Sequence, residues 1–88
     1  MSESQTFDDA MWLLNAIVSA NKSGTPMVCT KLNDMHEMLI EYGMIGVIHG
    51  RVEQDDGTVF SILIPSQKGV RQIQACRRAW SEEIANAV

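Results

Sequence analysis

From Gly46 to Ile64 the apolar residues leave helical spacing, and this change of period constrains the fold more than any other feature of the chain. Val47, Ile48 and Val52 lie on one side of Gln54-Asp55-Asp56-Gly57, and Thr58-Val59-Phe60-Ser61-Ile62-Leu63-Ile64 follows it. Asp-Gly between β-branched runs is a strong hairpin signal, because both central residues of the tight turn need a positive φ. Pro65 ends the second strand, having no N–H to give to the ladder. That strand is apolar on both sides, with Phe60, Ile62 and Ile64 on one and Val59 and Leu63 on the other. Both faces of the sheet are therefore expected to be covered.

Helical spacing holds on either side of this segment. Phe7, Ala10, Met11, Leu14, Ile17 and Val18 predict a first helix over residues 7–21, with Thr6 as its cap and Asp9 three residues on. Lys22-Ser23-Gly24-Thr25-Pro26 breaks it, and Met27-Val28-Cys29 remains as a minimal strand. Thr30 or Asn33 can begin a second helix, whose stripe is Leu32, Met35, Leu39 and Tyr42 and whose αL stop is Gly43. After Pro65, with Ser66 or Gly69 near its start, Val70, Ile73, the stem of Arg77, Trp80, Ile84 and Val88 predict a last helix. Through Ile73 and Trp80 this helix is expected to cover the second face of the sheet or to dock on a neighbour.

Size and charge narrow the classes. A chain of 88 residues is one domain, residues 1–88, with a modest core and no room for a second. No apolar run reaches the roughly 18 residues of a membrane helix, so no membrane partner is expected. The start, MSESQTFDDA, has neither a secretory h-region nor an arginine-rich presequence. Residues 1–65 hold nine of the 11 acids against Lys22, Lys31 and Arg51, whereas Lys68, Arg71, Arg77 and Arg78 all lie beyond them. A net charge of −4 argues against free-standing, tight nucleic-acid binding, which needs a coherent basic face. The tail helix supplies the one basic grouping, Lys68, Arg71, Arg77 and Arg78, as a possible contact face for phosphate or an acidic partner. Glu82 is placed to pair with Arg78 four residues earlier.

Reactive constellations are sparse. His36, His49, Cys29 and Cys76 have no tight ligand spacing and no C-x-x-C, so no metal and no cofactor is expected. Ordinary surface histidines and small buried thiols explain them, in a reducing compartment. Cys29 and His36 are seven residues apart with no third group to orient them, so no nucleophile, no enzyme and no small-molecule substrate are expected. Gly43, Gly46 and Gly50 are caps and bulges rather than a phosphate loop. Met35, Met38 and Met44 read as core filling. Lys31, placed where helix-start amides can hold an anion, stands out as a candidate phosphate contact.

Leu14-Asn15-Ala16, Asn21-Lys22, Met27-Val28-Cys29-Thr30-Lys31-Leu32 and Gly43-Met44-Ile45 occur in that order. In this order and spacing the chain resembles the N-terminal domain of the small-subunit ribosomal protein eight family. That family has a helix with Arg-Asn-Ala followed by Asn-Lys, a strand like Met-Pro-Ser-Ser-Lys-Leu, and a helix ending in Gly-Phe-Ile before a hairpin. The resemblance covers residues 6–64 of the 88. It implies an α+β fold with an α-β-α-β-β core, a three-stranded sheet with two helices on one face, followed here by an extra helix over residues 66–88. It implies a structural constituent of the small ribosomal subunit, with small-subunit rRNA and neighbouring ribosomal proteins as partners. Carried over position by position, Asn15 and Lys31 are the implied rRNA contacts, with Lys22 a third. The chain departs from the family at Trp12 and Leu14, where basic residues are usual, and in lacking the second domain with its Ser-Thr-Ser loop. A shortened, acidic relative that trades rRNA contacts for protein contacts is expected in a mitochondrial ribosome.

A winged-helix regulator or protein-interaction module, cytoplasmic in that case, is the alternative. There the segment ending in Glu41-Tyr42-Gly43-Met44-Ile45 closes a recognition helix and Asp55-Asp56-Gly57 is the wing tip. That fold needs two helices between Gly24 and Ile45, where about 18 residues is a tight fit. Asp34, Glu37 and Glu41 would also repel DNA.

Overall fold

The computed structural model describes residues 3–51 and 59–86, with side-chain surroundings for residues 6–51 and 59–83. Its elements are α1 (Glu3–Lys22), β1 (Met27–Cys29), α2 (Asp34–Glu41), β2 (Ile45–Arg51), β3 (Val59–Pro65) and α3 (Gln67–Asn86). This is the expected α+β order, α-β-α-β-β with a C-terminal helix. The Gln54-Asp55-Asp56-Gly57 turn lies outside the described residues, but β2 and β3 pair antiparallel from Ile45 with Pro65 to Arg51 with Val59, as a hairpin requires. β3 is central and β1 pairs antiparallel to its other edge, giving the order β1-β3-β2.

One core joins all three helices to one face of the sheet. Ala10, Met11, Leu14, Ile17 and Val18 from α1 meet Leu39 from α2, Ile45 from β2, Leu63 from β3 and Ile73 from α3. Strand side chains alternate, so Met27, Cys29, Val47, His49 and Ser61 share the side of Leu63, while Val28, Ile48, Phe60, Ile62 and Ile64 point the other way.

The expectation that α3 covers the second face is therefore overturned. α3 leaves β3 after a single residue, Ser66, and folds back onto α1, where Ile73 is fully buried and Trp80 stacks on Trp12 with ring centroids 4.7 Å apart. No helix of the described residues lies on the second face; Val28 is 54% exposed and Ile48 53%.

Asn33, one of the two starts expected for α2, is its cap, while three other local features differ from expectation. α1 begins at Glu3, so Thr6 is inside the helix rather than its cap. α2 starts from Asn33, in an extended conformation (φ −97°, ψ 177°), and its partner in a reciprocal capping box is His36. Asn33 Oδ1 accepts from the His36 N–H at 2.9 Å, and the Asn33 N–H donates to His36 Nδ1 at 3.1 Å. His36 is thus buried at 8% exposure, not a surface histidine. The thiols of Cys29 and Cys76 are free and half-buried rather than fully enclosed.

α2 stops as the glycine demands. Gly43 has φ +73°, its N–H donates to Ile40 O and the Met44 N–H donates to Leu39 O, the paired bonds of a Schellman stop. The start of α3 is fastened to this turn. Lys68 Nζ donates to Tyr42 O at 2.8 Å, Ser66 Oγ to Gly43 O at 2.6 Å and the Ser66 N–H to Met44 O at 2.9 Å. Gly69 makes the approach possible, since a Cβ there would collide with the Met44 carbonyl.

Candidate functional site

Of the residues singled out as rRNA contacts, Asn15 and Lys22 lie seven residues apart on α1, with Arg77 near both, and Lys31 lies beyond β1. Asn15 is half-buried on α1, and its Oδ1 accepts from Arg77 Nε at 2.7 Å, while Arg77 Nη2 donates to Ser19 Oγ at 3.0 Å. Lys22 is exposed in the last turn of α1, where a cation favours the negative end of the helix dipole. Lys31 is exposed two residues before the Asn33 cap of α2. Lys22 and Lys31 flank β1, one before and one after it.

The tail grouping divides in two. Lys68 and Arg77 are engaged within the fold, at Tyr42 O and at Asn15 with Ser19. Arg71 and Arg78 are exposed, and seven-residue spacing puts both on the side of α3 turned away from Ile73. No ion pair joins Arg78 to Glu82, and none involves Arg77, among the described residues. What remains available as a basic face is thus the pair Arg71 and Arg78.

The departure at Trp12 has a packing reason. Stacked at an interplanar angle of 7° on Trp80, it forms with the Arg77 to Asn15 and Ser19 bonds a continuous seat for α3 on α1. Leu14, the other departure, is a fully buried core residue.

No group of three His, Cys, Asp or Glu among the described residues is placed to hold a metal ion. His49 Nδ1 and Ser61 Oγ lie 3.2 Å apart across β2 and β3, a contact that spacing along the chain does not announce. Ser61 is only 6% exposed, and the pair satisfies a buried hydroxyl between paired strands. No helix of the described residues is long and apolar enough to cross a membrane.

A groove of about 640 Å³ opens between α1 and α2, lined by Phe7, Met11, Met38, Leu39, Tyr42 and Met44 among others. Phe7 and Tyr42 are the end residues of the two predicted helix stripes, yet they are 50% and 59% exposed. The sequence pattern assigned both to the core, and only the packing of α1 against α2 reveals that they border an open groove.

No family model, no curated protein and no solved structure matches the chain.

Proposed function

We propose that the protein is a non-catalytic structural constituent of a small ribosomal subunit, in its mitochondrial form, touching rRNA lightly and neighbouring ribosomal proteins more extensively. The observation that carries this reading is where the motifs of the resemblance fall in the fold. Asn15 is on α1, Met27 to Leu32 spans β1 and leads to the cap of α2, and Gly43 is the stop between α2 and β2. The order in which they fall is compatible with the α-β-α-β-β layout that the resemblance implies.

The departures favour protein partners over rRNA. Asn15, a carried-over contact, has its side-chain oxygen occupied by Arg77, and Trp12, where the family has a basic residue, stacks on Trp80 of α3 while staying 59% exposed. The exposed, uncharged sheet face of Val28 and Ile48 suits contact with protein rather than phosphate. The winged-helix alternative loses support, because Gly24 to Ile45 holds β1 and one eight-residue helix where two helices are needed.

Sucrose-gradient fractionation of a native extract at low and high salt tests the proposal. Co-sedimentation with the small subunit that survives high salt is the expected result. Recovery only at the top of the gradient at both salts rejects it.

A further inference from the structure

We infer that the groove between α1 and α2 is a docking site for a basic amphipathic helix of another protein. The inference goes beyond the ribosomal reading and stands or falls without it.

The first observation is an apolar surface that stays open among the described residues. Met11 and Leu39 form the buried floor and Met38 and Met44 the half-buried walls, while Phe7 and Tyr42 stand half-exposed at the rim. Three unbranched methionines can refit their rotamers around an inserted side chain, and two aromatic rings offer large contact area at low entropic cost. A groove between two helices, bordered by aromatic residues, is the shape into which an amphipathic helix lays its apolar stripe.

The second observation is charge. Asp8, three residues before Met11 on α1, and Glu41, three residues after Met38 on α2, sit beside the lining residues of each wall helix, and both are exposed. α2 contains no lysine or arginine, and α1 none before Lys22. No lysine or arginine of the described residues lines the groove, and Lys68, whose ammonium donates to Tyr42 O, is held at its far end. Acidic flanks on both walls favour lysine or arginine on the incoming helix and oppose an acidic one.

Charge also argues against a second copy of this chain. Its exposed basic residues on α3, Arg71 and Arg78, share their outward face with Gln74, Ala75 and Glu82, which offer no large apolar stripe to insert. Its exposed large apolar residues on the sheet, Val28, Ile48 and Val59, sit on strands, and Trp12, exposed on α1, is already stacked on Trp80.

The test uses the whole protein labelled at its methionine methyls and two synthetic peptides of about 15 residues, long enough to populate a helix. One carries leucine at helical spacing with lysine elsewhere, and the other carries the same leucines with glutamate. The Leu/Lys peptide is expected to shift the methyl resonances of Met11, Met38 and Met44 and to leave Met27 unmoved, while the Leu/Glu peptide shifts none of them. Phe7→Ser and Tyr42→Ser, at half-exposed positions that leave the melting temperature nearly unchanged, should each weaken binding about tenfold. Asp8→Lys combined with Glu41→Lys should weaken it further at low salt. An Ile48→Ser change on the open sheet face should have no effect. The inference is overturned if the Leu/Lys peptide leaves the three groove methyls unmoved, if it binds the Ile48 face instead, or if the Leu/Glu peptide binds equally well.

Discussion

Gly43 and Gly69 are needed for different physical reasons, and substitution separates them. Gly43 has a positive φ with nothing within 4 Å of an added Cβ, so its requirement is conformational. Gly43→Ala should cost about 1–2 kcal/mol and Gly43→Asn less, since asparagine tolerates the left-handed region. Gly69 is helical, where alanine is ordinarily favoured, but an added Cβ would meet the Met44 carbonyl oxygen and lie 3.0 Å from its carbon. Because backbone must move, Gly69→Ala should lose about 1–3 kcal/mol despite the better helix former, as read by urea denaturation. A Gly69→Ala protein as stable as the parent would show that the fastening of α3 to the α2 stop is not tight. The sequence announces Gly43, through a helical stripe followed by glycine, but not Gly69. A close approach between residues 44 and 69 depends on tertiary geometry that no local pattern carries. The burial of His36 is hidden from the sequence for a related reason: asparagine with a residue three on normally signals a cap through Glu or Gln, and here an imidazole nitrogen fills that place.

At the scale of elements, the order of helices and strands was readable because the apolar period switches sharply at Gly46 and again after Pro65. The placement of α3 was not. β3 is apolar on both sides, which reads as a strand covered on both faces, yet α3 joins α1 and α2 on the Leu63 side. Periodicity tells which side of α3 is buried and is silent on what buries it. Two measurements check the arrangement. Leu63 is fully buried and Ile48 is 53% exposed, so Leu63→Ala should cost about 2–5 kcal/mol. Ile48→Thr should stay within about 0.5 kcal/mol of the parent. Comparable losses at both positions would mean that something covers the second face. Trp12 and Trp80 should be coupled across the α1–α3 seat. A double-mutant cycle with alanine at each should return an interaction energy of about 0.5–1.5 kcal/mol, and strict additivity would contradict the stack.

For the whole molecule, the question is how an acidic chain can belong to an RNA-rich assembly. The chain has seven lysines and arginines, and the fold engages Lys68 and Arg77 internally, which leaves Lys22, Lys31, Arg51, Arg71 and Arg78. Of these, Lys22 and Lys31 flank β1, Arg51 ends β2, and Arg71 and Arg78 share the outer side of α3, so the five are spread over separate elements. Each phosphate neutralised contributes about −0.9 to the slope of log binding constant against log salt on a duplex, so even five contacts made together reach only about −4.5. The isolated protein should therefore bind a small-subunit rRNA fragment weakly, with a slope shallower than that and lessened by about one unit on Lys31→Ala. A steeper slope would require a cationic surface that the fold does not display, and protein-dominated assembly would then be the wrong account. A shallow slope, with sedimentation on the subunit unchanged at high salt, would mean that apolar surface rather than phosphate holds the protein in place. The surfaces available for that are the α1–α2 groove and the sheet face of Val28, Ile48 and Ile62. Ile48→Asp alone should then release the protein from the subunit if the sheet face is the anchor, while leaving the Leu/Lys peptide bound to the groove.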